Sequence, residues 1–239
     1  MPAVAPGADV PKNVREDIRA MFDRIAGRYD RANRIMSAGV DGLWRRKAIR
    51  ALLAGLGDSP RVLDLGAGTL DGAIAILRRK PAAVVMGADF ARNMLVEGLK
   101  KPHAAKVAAQ VADGHDLPYQ NAVFDGAISA FCVRNLRDLD QAMTELRRVV
   151  RPGGRIAILE FFRPARRRVF WDGFYNARVL PLLGRAVTGD GAAYRYLPES
   201  IARFMPRSDF EALLRKVGFS TVRGADLFPA GVASLVVAE

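Results

Sequence analysis

Apolar residues recur at Val14, Ile18, Met21, Phe22, Ile25 and Tyr29, a spacing that lays one apolar stripe along a helix. This predicts an amphipathic helix at the start of the chain. A second helical stretch, 43–56, ends among Gly55 and Gly57, and after it the pattern changes to short apolar runs separated by helical periods. The runs predict strands over 61–65, 84–88, 105–111, 124–129 and 155–161, with helices near 71–79, 91–100 and 138–149 between them. Arg151, Pro152, Gly153 and Gly154 form a sharp helix stop, because proline cannot continue a helix and glycine supplies unusual dihedrals. The last segment predicts a helix near 208–217, capped by Gly218, and two strands around 219–224 and 232–238. Strands alternating with helices give an α/β fold: a doubly wound, mostly parallel seven-stranded sheet, Rossmann-like, with an N-terminal helical extension. A helical insertion precedes the last strands. The 239 residues suit a single domain, divided into a flexible tail (1–13), N-terminal helices (14–57), a binding core (58–163), a helical covering insertion (164–206) and a closing helix and strands (207–239).

The chemistry begins where the first strand ends. Val62, Leu63, Asp64 and Leu65 run into Gly66, Ala67, Gly68 and Thr69, so an acid precedes two closely spaced glycines. Bare glycines let backbone approach a ligand closely, and the helix that follows presents free amide groups. A dinucleotide-binding turn would place its third glycine at position 71, which is Asp71. An acid there repels a pyrophosphate at the helix N-terminus. S-adenosylmethionine has no phosphate and carries a positive sulfonium and ammonium, and methyltransferases commonly hold it with an acid placed as Asp64 is. Two further acids fall at strand ends: Asp89, 25 positions after Asp64, at the offset of a ribose-binding acid, and Asp113, placed to accept the adenine amine, with Gly114 leaving room for the ring. Each acid alone could equally be a turn or helix cap.

Composition narrows the setting. The single Cys132 excludes an intramolecular disulfide, and with only His103 and His115 a metal centre is not expected. No signal peptide and no membrane span is expected, which together with the lone cysteine places the protein in the cytoplasm. The net charge of +12 is the outlier. Its basic residues are spread along the chain and suit solvated helix faces, an anionic lipid surface or nucleic acid. No RNA-binding or zinc-finger signature accompanies them, which argues against nucleic acid.

A longer pattern covers nearly the whole chain. The segment 21–30, with Asn33, Met36, Gly39 and Leu43, Trp44, Arg45, resembles the N-terminal signature of the ubiquinone/menaquinone biosynthesis C-methyltransferases. So do Leu117–Tyr119 with Phe124 and Asp125; Phe131, Arg134 and Asn135; Arg148–Gly154; and Leu159, Glu160, Phe161 and Pro164. Leu180, Pro181, Gly184, the run Tyr194, Tyr196, Leu197, Glu199, Ser200, Ile201, then Phe204, Pro206, Gly218 and Phe219 continue it. The resemblance implies an S-adenosylmethionine-dependent enzyme that methylates a ring carbon of a polyprenylated quinol, a demethylmenaquinol or a ubiquinol precursor. Among the cofactor-binding positions it implies Thr69 and Ala130 beside Asp64, Gly66, Gly68, Asp89, Asp113 and Gly114. Ala130 stands where the family often has serine. Leu70 stands where a third glycine is usual, so the backbone there must avoid a positive φ or accept strain.

Carbon methylation needs a ring made nucleophilic by loss of a hydroxyl proton, hence a base and a group that stabilises the phenolate. Arg134 is the electrostatic candidate, Asn135 can orient the hydroxyl, and Tyr29 and Tyr196 can cover the pocket or pack structurally. Glu160 is either base or structural acceptor, and His115 is a base by chemistry but a surface residue by position. The lipid tail implied for the substrate gives the charge a use. Arg166, Arg167 and Arg168 beside Phe170, Trp171 and Phe174 suit an interfacial helix, or a lid that buries those aromatics. Transient contact with an anionic membrane, peripheral at its inner face, and a homodimer are compatible with this reading. Its alternatives are a methyltransferase for another lipid or small molecule and a cofactor-binding scaffold with little activity.

Overall fold

The computed structural model describes residues 12–37, 39–163, 191–228 and 233–239. Helices α1 (Lys12–Met36) and α2 (Asp41–Leu53) precede the sheet. The core then runs β1 (Arg61–Leu65), α3 (Asp71–Arg79), β2 (Val84–Asp89), α4 (Arg92–Leu99), β3 (Val107–Val111), β4 (Phe124–Ala130), α5 (Leu139–Val149) and β5 (Val150–Glu160). It closes with α6 (Gly191–Arg203), α7 (Arg207–Lys216), β6 (Val222–Asp226) and β7 (Ser234–Ala238).

The seven strands lie in the order β3-β2-β1-β4-β5-β7-β6. Strands β1 to β5 pair in parallel, and β7 pairs antiparallel with both neighbours. The chain winds outward from β1 to β3, then returns to place β4 beside β1. That reversal opens a crevice at the carboxyl ends of β1 and β4, where ligands of open sheets bind.

Alternation along the central strands explains why both faces are covered. Val62 packs with Ile49, Leu52 and Ile74 of the α2 and α3 side, whereas Leu63 and Leu65 pack with Met143, Leu146 and Phe210 of the α5 and α7 side. Strands buried on both faces read as continuous apolar runs, which is how the sequence displays them.

Differences from the sequence expectation lie at the edges of elements. The predicted first helix is longer, 12–36, and residues 104–106 form a 3-10 turn before β3. Strand β5 starts at Val150 and passes through Pro152 to Gly154, where a turn was expected. Gly153 takes φ +72 and the register with β4 shifts between Phe124 and Gly126, so the strand bends while still pairing. Of the covering insertion, α6 is described. The basic and aromatic residues Arg166 to Phe174 and the tail 1–11 lie outside the described residues. Among the described residues no helix is long and apolar enough to cross a membrane, and no acid, cysteine or histidine group is placed to hold a metal ion.

Candidate active site

The glycine turn is shaped by what presses against it. Gly66 takes φ +70 and Gly68 φ +52, and a Cβ on Gly66 would sit 2.2 Å from Cys132 Sγ. No other residue fits there. Leu70 follows at φ +64 and caps α3 in the left-handed region, so the backbone accepts strain at that position. Its side chain is fully buried against two glycines: Cβ atoms built on Gly87 and Gly98 would lie 2.6 and 2.7 Å from it. The leucine thus fills a slot that two other elements leave open, and its burial offsets the strain.

Asp64 is also fully enclosed, but it points beneath the turn rather than into the crevice. A Cβ on Gly72 would lie 2.5 Å from Oδ2, and the carboxylate accepts the Ala73 amide at the N-terminus of α3. Oδ2 has no hydrogen-bond partner among the described residues, and burial pushes this carboxyl up to about 7. Asp89 braces the turn from the neighbouring strand: Oδ2 accepts the Gly68 amide at 2.7 Å and Oδ1 the Ala91 amide at 2.9 Å. Burial raises it to about 6. The Phe90 amide adds a third contact, and the carboxylate keeps acceptor capacity for a ribose hydroxyl.

Asp113 lies past the end of β3, next to the strand that ends in Asp89. Its Oδ1 contacts His115 Nδ1 at 2.6 Å, and His115 Nε2 accepts the Asp138 amide at 3.1 Å. The surface histidine expected at position 115 is therefore buried, because both ring nitrogens are used to tie β3 to the start of α5. With Nε2 occupied it is no base. Gly114 has Leu136 and Leu65 within 3.5 Å of where its Cβ would be, so it keeps this passage open.

Helix α1 crosses above the turn. Phe22, Ala26 and Tyr29 pack on Phe90, Ala91 and Met94, and Asp23 accepts the Asn93 amide at 2.8 Å. Thr69 donates to Asp30 at 2.5 Å, and Lys101 reaches Thr69 at 2.9 Å, Asp30 at 2.5 Å and Asp71 at 2.5 Å. Between α1, the first turns of α2 and the glycine turn lies a small cleft open to solvent. Tyr29, Asp30 and Asn33 line it from α1, Asp41 and Arg45 from α2, and Gly66 to Thr69 with Ala130 from the sheet. Its donors fit a cationic amino-acid ligand. It offers three acids, two arginines and the main-chain amides of the glycine turn, a mixed set that suits a ligand bearing both a cation and a carboxylate.

A second polar cluster adjoins it at the ends of β4 and β5. Arg134 donates to Glu160 Oε1 and to the Phe131 carbonyl, both at 2.7 Å, and to Ser200 Oγ at 3.2 Å. Glu160, 0% exposed, also accepts the amides of Phe161 at 2.7 Å and Arg134 at 3.3 Å. Burial pushes the Glu160 carboxyl up, and the guanidinium and two amides pull against that rise. A buried arginine stays charged and demands an anion. Position 160 thus holds the Arg134 guanidinium as a buried acceptor. Tyr196 donates to Asn135 Oδ1 at 2.8 Å. Tyr196 and Ser200, one turn apart on α6, fasten the covering helix to Asn135 and Arg134. Burial raises both Tyr196 and Tyr29, so each keeps its phenolic proton.

The cleft also contains residues that the sequence reading did not assign. Asp30, Asn33 and Arg45 belong to the N-terminal signature, which was the available signal. Lys101 carries none, since its role exists only once α1, α3 and α4 meet.

The profile of the ubiE/COQ5 methyltransferase family matches residues 10–238. The chain is 41% identical over 224 residues to a demethylmenaquinone methyltransferase of Thermus thermophilus, covering 92% of this chain and 99% of that protein. It is 40% identical over 229 residues to the ubiquinone/menaquinone biosynthesis C-methyltransferase UbiE of Geobacter sp. (strain M21), covering 93% and 95%. Among solved structures, the [4+2]-cyclase SpnF superposes with TM-score 0.70 at 17% identity over 98% of both chains. Phosphoethanolamine N-methyltransferase 2 of Haemonchus contortus, in complex with S-adenosyl-L-methionine, gives 0.59 at 16% identity, over 81% of this chain and 52% of that one. At such identities these two likenesses speak for the fold.

Proposed function

The chain belongs to the ubiE/COQ5 methyltransferase family, and from that premise we propose that it methylates a ring carbon of a polyprenylated quinol, a demethylmenaquinol or a ubiquinol precursor, in quinone biosynthesis. The observation that carries the reading is the juxtaposition of the glycine cradle with the Arg134–Glu160 and Asn135–Tyr196 cluster at one end of the sheet.

When bound, S-adenosylmethionine supplies an electrophilic methyl group. Asp89 would hold its ribose, Asp113 and Gly114 its adenine, and Gly66 to Thr69 with Ala130 its amino-acid end. Asp64 contributes from below, through the Ala73 amide and the start of α3 rather than by contact. Arg134 acts as a positioning residue with its charge balanced by Glu160. It anchors Ser200, and through it α6, over the site. Tyr29 Oη keeps its proton at the cleft wall and can donate it to a ring oxygen, stabilising it as charge develops, whereas Tyr196 gives its single proton to Asn135 Oδ1 and fixes the orientation of that side chain. Neither phenol can take the ring proton while it holds its own, His115 uses both ring nitrogens, and Glu160 Oε1 is occupied by the Arg134 guanidinium and the Phe161 amide.

Contact with a membrane belongs to the same proposal. Leu43, 48% exposed, and Phe228, 82% exposed, are joined by the bond from Trp44 Nε1 to the Phe228 carbonyl at 2.9 Å. Arg46 and Lys47 flank Leu43 on the exposed side of α2. An apolar pair beside cations suits an anionic bilayer, from which a tailed quinol would enter. Complementation of a quinone-methylation mutant, with mass analysis of its quinones, tests the function: restored methylated quinone supports it. Persistent demethylated quinone, with the protein present and folded, removes it.

A further inference from the structure

We propose that Arg45 binds the carboxylate of the cofactor's amino-acid end, an inference that rests on the cofactor reading above. A carboxylate drawn into a partly closed cleft loses hydration and needs a charged donor in exchange. The described cations around the site differ in what they still have to give. Lys101 is spent on Asp30 and Asp71, each at 2.5 Å. Arg134 is spent on Glu160 at 2.7 Å. Arg34 reaches the cleft but is exposed to solvent.

Arg45 is different. It is half-buried, lines the cleft beside Gly66, Ala67, Gly68 and Ala130, and forms no ion pair or hydrogen bond with any described residue. Asp41, one turn earlier on α2 and also in the cleft, accepts the Ser37 hydroxyl at 2.7 Å and leaves Arg45 unpaired. The guanidinium is nevertheless held in place. It lies over the Phe131 ring, 6.0 Å from its centroid.

That ring is itself fixed. Phe131 follows β4 at φ +61, a conformation that costs a non-glycine residue of order 1 kcal/mol or more. It stacks on Phe161 at 4.6 Å and meets Trp44 at 6.4 Å. Backbone strain and an aromatic stack thus support one unpaired cation aimed into the cleft. Its charge is felt by Asp64 beneath the glycine turn and by Tyr29 across the cleft, which places it near the turn from both sides. Asp64 cannot serve as its partner, being enclosed under the turn against Gly72. An anion is what the position lacks, and the α-carboxylate is the one anionic group of S-adenosylmethionine.

Calorimetric titration with two ligands separates this from a general role in folding. Wild type is expected to bind S-adenosylmethionine on the order of ten- to a hundredfold more tightly than decarboxylated S-adenosylmethionine, as one charge-assisted contact predicts. Arg45→Met should bind both alike, with the affinity for the decarboxylated ligand close to that of wild type. Arg45→Lys, which keeps the charge and loses the planar fork, should retain part of the preference and serves if the methionine variant fails to fold. Equal weakening toward both ligands, or an undiminished preference in either variant, would overturn the assignment, with the carboxylate then held by main-chain amides. Failure of wild type to bind S-adenosylmethionine would instead strike the cofactor reading itself.

Discussion

Leu70 sets two opposing energies against each other at one backbone position. At φ +64 a β-carbon costs about 1–2 kcal/mol relative to a relaxed backbone. Against this, the side chain is 0% exposed and fills the space that Gly87 and Gly98 leave, and deleting a buried leucine costs about 2–5 kcal/mol. Burial wins, so Leu70→Gly should destabilise the protein even though it installs the residue the backbone prefers. Leu70→Ala loses the same packing and keeps the strain. It should therefore be the less stable of the two, by about 1 kcal/mol after the extra chain entropy of glycine is allowed for. Thermal unfolding followed by circular dichroism reads this directly, since 1 kcal/mol moves Tm by roughly 2–4 °C in a domain of this size. The expected order is wild type, then Leu70→Gly, then Leu70→Ala. A glycine variant more stable than wild type would show that strain dominates. An alanine variant at least as stable as glycine would show that the left-handed conformation carries no cost, and either result would refute the reasoning.

Three further outcomes follow from the buried groups. Arg134→Ala strands Glu160 without its cation and should cost about 3–5 kcal/mol of stability, with Arg134→Ala/Glu160→Ala recovering part of it in a double-mutant cycle of denaturant unfolding. Simple additivity of the two changes would contradict the pairing. Asp64 titrates near 7 in the fold against 3.8 for the ordinary carboxyl. The folded state therefore holds that proton more tightly, and this group removes stability as pH rises from about 4 to about 7, by about 4 kcal/mol. Asp64→Asn should flatten that decline, and an unchanged slope would show that Asp64 is not the group responsible. Lys101→Met should change global stability by no more than about 1 kcal/mol, yet weaken binding of S-adenosylmethionine and speed proteolytic cleavage within α1, because the tie across Asp30, Thr69 and Asp71 is gone. Unaltered cleavage would mean that α1 is held by its apolar face alone.

The layout of the fold was legible because its strands are buried on both faces and written as unbroken apolar runs. The acids at strand ends were legible because strand ends are where the runs stop. Position 150 was not, since proline and two glycines normally end pairing, and here a bulged strand absorbs them. The direction of Asp64 could not be read either: its place under the turn depends on Gly72 leaving room in the first turn of α3. His115 was misplaced for a similar reason. Exposure is the default for a turn histidine, and only the start of α5, far along the chain, supplies the amide that draws it in. The roles of Arg134 and Lys101 depend on partners 26 to 71 positions away in sequence, which no local pattern records.

The central claim is that methyl transfer goes to a ring carbon of a tailed quinol. Purified protein incubated with methyl-labelled S-adenosylmethionine and a reduced demethylmenaquinone in detergent micelles, followed by mass and NMR analysis of the extracted quinone, addresses it directly. The account predicts a single labelled methyl group on a ring carbon, adjacent to the carbonyl of the oxidised product. Label on a ring oxygen, or no transfer to either the menaquinone or the ubiquinone precursor by protein that binds the cofactor, would contradict it.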